Sequence, residues 1–386
     1  MSVLLGDICN VATGQSAPQD KTAFSNEGVP FIRAGSLQGL LSGKKEDDFE
    51  LISEVNAEKY RMKLFPKHTV VFAKSGMSAK IGRVYRLQKP CYLVSHLAAV
   101  LPSDKIDSGY LQRWFEKNPP SRLIENNAYP SIKTSVIQQV AIPLPLLEEQ
   151  KRIAVILDKA DTIRRKRQEA ITLADDFLRA TFLNMFGDPV TNPKGWKITV
   201  LKNIGYITTG NTPSRKVAKY FGNDIEWIKS NNINTPYHFL TKAEESLSKE
   251  GGEVGRKVAP YSTLVTCIAG SFDCIGNTAL SDREVAFNQQ INAITPKEDI
   301  DPFFLYCLIL NAKKMIQGAS TNSMKGMISK GKFEQILVYN PPTSLQQKFG
   351  SFFQTQMENV SKIRMSKKYS DNLFNSLAQQ AFQGKL

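Results

Sequence analysis

Apolar and polar positions follow two patterns along this chain, and each pattern occurs twice. Short β-rich runs such as Thr69-Val70-Val71-Phe72-Ala73 and Ser262-Thr263-Leu264-Val265-Thr266 lie between clusters of Pro, Gly, Asn and Ser, which predicts strands joined by turns. Gly109 to Lys117 and Pro302 to Gln317 read as helices among them, so these stretches form α+β globules. From Glu148 to Phe186 the pattern changes. Ile153, Ile156/Leu157, Ala160, Ile163, Ala170/Ile171, Ala174, Phe177/Leu178, Phe182 and Met185 alternate spacings of three and four, a heptad period interrupted by Arg164-Arg165-Lys166-Arg167. These residues predict a rod about 58 Å long at about 1.5 Å each. A second stripe runs through Phe349, Phe353, Met357, Val360, Ile363, Phe374, Leu377 and Ala381. Each stripe needs a partner, and the economical choice is the other one, giving two long antiparallel coiled-coil helices. Gly187-Asp188-Pro189 and Asn192-Pro193 stop the first rod and start the second globule.

Self-similarity explains the doubling. Leu5-Gly6-Asp7-Ile8 with Thr13-Gly14 returns as Leu201-Lys202-Asn203-Ile204 with Thr209-Gly210, and Phe31-Ile32-Arg33-Ala34-Gly35-Ser36-Leu37 returns as Trp227-Ile228-Lys229-Ser230-Asn231-Asn232-Ile233. Gly76 with Ile81-Gly82 matches Gly270 with Ile275-Gly276, and Leu97-Ala98-Ala99 matches Ile291-Asn292-Ala293. Pro143, Pro145 and Glu149-Gln150-Lys151 face Asn340, Pro342 and Gln346-Gln347-Lys348. The offsets stay within three residues of one another. The chain is therefore a pseudo-two-fold tandem duplication, with a unit too long for a solenoid repeat.

Composition narrows the partner. The 386 residues carry 50 Lys+Arg against 36 Asp+Glu, a formal net charge of +14. The excess runs over the whole length rather than sitting in a tail: net +3, +3, +4 and +4 over residues 1–150, 151–195, 196–345 and 346–386. That suits a protein lying along a polyanion, nucleic acid above all. No apolar run reaches the 18 or so residues that span a bilayer, and the N-terminus lacks the pattern of a signal peptide. Five cysteines without a C-x-x-C pair, and only three histidines, argue against a disulfide scaffold or a metal site and fit the cytoplasm.

Catalytic patterns are missing. Neither G-x-G-x-x-G after a strand nor a complete P-loop occurs, and nothing matches G-x-S-x-G or H-E-x-x-H. Glu149-Gln150-Lys151 has a nuclease-like E-x-K spacing but opens a helix, where an acid favours the positive dipole end. Asn340-Pro341-Pro342-Thr343 approaches the motif of amino-methyltransferases, yet Thr343 cannot stack on a flipped base. Both proline stretches read as connectors that break the chain before a helix.

What remains is polar chemistry suited to double-stranded DNA. Lys74-Ser75-Gly76-Met77-Ser78-Ala79-Lys80-Ile81-Gly82-Arg83 is mirrored by Ala269-Gly270-Ser271-Phe272-Asp273-Cys274-Ile275-Gly276-Asn277. Glycines allow close backbone approach, Lys and Arg meet phosphates or guanine, and Asn and Gln can grip adenine edges. Candidate contacts in the first globule are Arg33, Ser36, Lys74, Ser75, Ser78, Lys80, Arg83, His96, Tyr129 and Lys133. In the second they are Lys229, Asn231, Asn232, Ser271, Asn277, Gln289, Gln290, Asn322 and Lys325.

The pattern resembles the specificity subunits of type I restriction-modification systems. Its most specific carrier is Ile142-Pro143-Leu144-Pro145-Leu146-Leu147-Glu148-Glu149-Gln150-Lys151-Arg152-Ile153 with the helix ending at Phe182 to Asp188. Ser376 to Leu386 and the opening Leu5-Gly6-Asp7-Ile8 with Thr13-Gly14 add to it. The second repeat departs in having Leu345-Gln346-Gln347. The resemblance implies target recognition domains at 1–147 and 189–344, a central conserved long helix at 148–188 and a distal one at 345–386. Each domain would read half of a split, asymmetric site while the helices set the gap. The chain itself would hold no cofactor and no metal. It would dock two adenine methyltransferase subunits that use S-adenosylmethionine and, in the full restriction complex, translocase subunits that use ATP and Mg. The competing reading is an enzyme, a DNA methyltransferase or nuclease with a fused recognition region, which needs a site the sequence does not show. A coiled-coil scaffold for proteins alone conflicts with the dispersed positive charge.

Overall fold

The computed structural model describes residues 2–321 and 326–386 and divides into two compact units. The first comprises 1–168 with 365–386, the second 169–364. Each unit thus contains one globule, the first half of the long helix that follows it and the last half of the other long helix.

The globules share one topology. In the first, a four-stranded sheet has the order Cys9–Thr13, Leu97–Pro102, Val70–Ala73, Val84–Arg86; in the second the order is Gly205–Thr209, Ile291–Pro296, Thr263–Thr266, Thr278–Leu280. Their central pairs are antiparallel, with Ala99 opposite Val71 and Ala293 opposite Leu264. The central strands are buried on both faces over most of their length; Val70–Ala73 and Leu97–Val100 therefore read as continuous apolar runs, whereas the second globule buries Thr263, Thr266 and Asn292 among its apolar residues. A five-stranded sheet accompanies each, built on a parallel pair: Ile32 beside Leu93 in one, Ile228 beside Phe287 in the other.

Helices Ser108–Lys117 and Pro302–Asn311 start at Asp107 and Asp301, whose carboxylates accept from Tyr110 N and from Phe303 N and Phe304 N. The helix expected over 302–317 is two helices, Pro302–Asn311 and Lys313–Gly318, parted at Ala312.

The long helices run Leu147–Phe186 and Thr343–Phe382. In the first unit Ile153, Leu157 and Ala160 share a core with Phe374, Ala378 and Ala381, and Arg167 donates to Ser366 O at 2.9 Å. In the second, Phe177 meets Phe352 with ring centroids 5.6 Å apart and Phe182 meets Phe349 at 5.3 Å. Rising numbers on one helix face falling numbers on the other, so the helices pack antiparallel. Not every stripe position is covered: Ile163 and Phe177 remain about half exposed.

Glu149-Gln150-Lys151 is structural. Glu149 pairs with Arg152 and Lys151 with Glu148, while Gln150 is buried, accepting from Asp107 N at 2.8 Å and donating to Lys105 O and Pro145 O. Gln346 repeats this bonding with Asp301 N, Asn340 Oδ1 and Pro341 O. Asn340 therefore serves as a connector.

Candidate nucleic-acid interface

The clearest candidate surface in the first unit is built where Val70–Ala73 leaves its sheet. Lys74 N donates to His96 O at 2.8 Å, Ile132 N to Lys74 O at 2.7 Å and Gly76 N to Pro130 O at 3.0 Å. Three segments distant in sequence are thereby laced together, and Lys74, Ser75, His96, Tyr129 and Lys133 come to one place. Ser75 Oγ lies 2.6 Å from His96 Nδ1. Tyr129 is 81% exposed, a large ring with no apolar cover. Gly76, at φ +73°, turns the chain into the short helix Met77–Ile81, which carries Ser78 and Lys80. Only glycine takes that φ cheaply. Arg83 follows, its guanidinium on Gln38 Oε1.

The second unit repeats the lacing. Cys267 N donates to Gln290 O at 2.8 Å and Ile328 N to Cys267 O at 2.9 Å. On this common frame the side chains differ. Gln290 Oε1 accepts from Asn288 Nδ2 at 3.1 Å, and Gln289 Oε1 accepts from Thr212 Oγ1. Asn277 bridges Asn234 Oδ1 and Lys313 Nζ, at 2.8 and 2.6 Å, and Ser271 is exposed beside it.

Some expected contacts are committed elsewhere. Asn232 faces inward. It is 4% exposed, its Oδ1 accepts from Lys229 N, and its Nδ2 donates to Thr241 Oγ1 and Lys242 O, so its amide is occupied in holding the loop. Arg33 pairs with Glu50 and lies over Phe24 and Phe31, while Ser36 Oγ accepts from Arg33 N. Lys229 pairs with Glu245 over Trp227. Asn231 is exposed. Asn322 and Lys325 lie outside the described residues.

Burial pushes the thiols of Cys9, Cys91 and Cys267 up to about 12, so they are neutral at pH 7. Among the described residues no group of three or more His, Cys, Asp or Glu side chains could hold a metal ion, and no helix is long and apolar enough to cross a membrane.

A duplicated α+β globule with one polar frame and two sets of side chains, joined through paired helices, defines a two-module recognition protein. The model for the type I restriction modification DNA specificity domain matches residues 1–173 and again 193–367, and the chain belongs to that family. It is the DNA specificity subunit of a type I restriction-modification system, non-catalytic in itself, and its globules are target recognition domains. The MjaIX specificity subunit of Methanocaldococcus jannaschii is 23% identical over 96% of this chain and 90% of its own length. The solved S subunit from M. genitalium has the same fold at TM-score 0.62 and 14% identity, covering 99% of this chain and 96% of its own. A chain solved in work on complex assembly and conformational transition of the type I system gives TM-score 0.54 at 15% identity, covering 100% of this chain and 98% of its own.

Proposed function

We propose that residues 1–147 and 189–344 each read one half of a bipartite, asymmetric duplex site, and that the two long helices common to both units set the unread gap. The observation that carries this is the shared backbone frame with unlike side chains: Ser75 and His96 in one copy, Gln289 and Gln290 in the other. A common frame keeps both globules in one docking geometry, and the side chains then choose different bases. Lys74, Ser78, Lys80, Arg83, Tyr129 and Lys133 would make the first set of contacts, with Asn231, Ser271 and Asn277 joining the second. The chain docks two modification subunits that methylate adenine with S-adenosylmethionine, and translocase subunits supplying ATP and Mg chemistry complete the restriction complex. This work takes place in the cytoplasm, where five free thiols persist.

Co-expression with the adjacent methyltransferase, followed by mapping of modified adenines across a genome, tests this. The expected product is one split site with unlike halves, of which Gln290→Ala changes only one. A contiguous site, or changes in both halves, overturns the two-reader model.

A further inference from the structure

Behind the loop of Lys80 and Arg83, a cleft of about 640 Å³ opens between the strand Val84–Arg86, the helix Ser108–Lys117 and the first long helix, all within the first unit. Arg83, Arg86, Arg113, Arg164 and Arg165 line it, against Glu116, Asp158 and Asp161. Three acids cannot neutralise five guanidinium groups, and the pairing shows which cations are left over. Arg113 takes Glu116, Asp158 and Asp161, while Arg164 and Arg165 share Asp161. Among the described residues Arg83 makes no ion pair and donates to the neutral Gln38.

Arg86 makes no ion pair among the described residues, and its buried Nε meets no acceptor there. A Cβ built on Gly109 would lie 2.8 Å from one Arg86 terminal nitrogen, so the guanidinium rests over the first turn of the ten-residue helix. That is the positive end of a helix dipole, an unfavourable place for a cation that makes no ion pair. Asp107 caps the same helix through Tyr110 N, and its Oδ1 lies 3.0 Å from the same built Cβ, near the Arg86 guanidinium but outside ion-pair contact with it.

The second repeat supplies an internal control. Matching the strand and helix ends places Asn277 and Leu280 where the first repeat has Arg83 and Arg86, Cys307 at Arg113, and Val360 and Ser361 at Arg164 and Arg165. The same topology therefore forms with every cleft arginine replaced by a neutral residue. The fold does not require these cations.

We propose that this cleft binds a phosphate group, with Arg86 and Arg83, the two cleft arginines outside the ion-pair network, as its cations. The phosphate can come from the DNA backbone as it leaves the reading loop, a source that rests on the DNA-reading function above, or from a free phosphate compound. The full chain tests both, using Arg86→Leu, which installs the residue of the second repeat, and Arg86→Lys, which restores charge.

Binding of a random-sequence duplex is followed against salt, and binding of inorganic phosphate by ³¹P NMR; thermal unfolding checks that both variants fold. If DNA supplies the group, Arg86→Leu lowers the salt slope by about 0.9, making the affinity lost between about 50 and 200 mM salt about 3.5-fold smaller, and Arg86→Lys restores the slope. If a free compound supplies it, the slope is unchanged but saturable phosphate binding disappears in Arg86→Leu. Unchanged slope together with unchanged or absent phosphate binding overturns the proposal. Failure of the wild-type chain to bind duplex at all counts against the DNA-reading function, while the phosphate arm still decides the cleft.

Discussion

Asp161 shows how a single buried residue can hold a charged junction together. It is 6% exposed and touches Arg113, Arg164 and Arg165. Burial opposes its ionisation, but the arginines outweigh burial and hold its carboxyl below the ordinary range. Arg113, equally buried, stays fully charged because Glu116, Asp161 and Asp158 offset its desolvation. Asp161→Asn should therefore cost about 3 kcal/mol at neutral pH, since it takes from the buried Arg113 one of its three acidic partners and from Arg164 and Arg165 their shared one. The sign of the pH dependence follows from the depressed folded pKa. The contribution is fully present above the unfolded carboxylate pKa of about 4 and is lost as pH falls through the folded value. Urea unfolding of both proteins across pH 2–7 should show the gap closing at the acid end; a constant gap would contradict the ion-pair account.

At the scale of elements, the two buried glutamines fasten each globule to the start of its long helix. Gln150 joins Asp107 N, Lys105 O and Pro145 O; Gln346 joins Asp301 N, Asn340 Oδ1 and Pro341 O. Removing either amide strands backbone groups in the interior. Gln150→Ala and Gln346→Ala should each lower stability by about 2–3 kcal/mol, measured by chemical denaturation, and the losses should be similar because the bonding is repeated. The long helices were legible because an amphipathic helix writes its period into the sequence. The break at Ala312 was not, because Phe303 to Ile309 are uniformly apolar and no Gly or Pro marks the end. The reading frame was legible through repetition, whereas the fate of each polar side chain was not. Asn231 and Asn232 are neighbours of one type, yet only the second turns inward to hold its loop. Arg86 had no local signal at all, since its isolation depends on which acids its neighbours have already taken.

The whole molecule is a closed exchange: each globule's core takes in the far half of the other repeat's helix. Residues 1–190 keep Ile153, Leu157 and Ala160 but lose Phe374, Ala378 and Ala381, which complete their core. A second copy can supply the equivalents Leu178, Phe182 and Met185 from its own helix, 196 residues earlier in the sequence. Burying each large apolar side chain returns roughly 1.5–3 kcal/mol, and a two-fold pair is the usual way to cover a self-complementary face. The fragment should therefore dimerise and, with its methyltransferase, modify a palindromic split site. The fit is imperfect in one place. Phe182 must occupy the position of Ala378, which is 2% exposed in the intact core, and overpacking of this kind costs about 1–3 kcal/mol. In the intact chain Phe182 is accommodated by Phe186, Phe304 and Phe349 of the second unit, so its bulk suits that core alone. Phe182→Ala should consequently tighten the fragment dimer while destabilising the full chain. Sedimentation equilibrium of the fragment and thermal unfolding of the full chain read the two effects separately. A monomeric fragment, or one whose dimer weakens with Phe182→Ala, would show that the helices of two first repeats do not pair in the register that the intact chain uses.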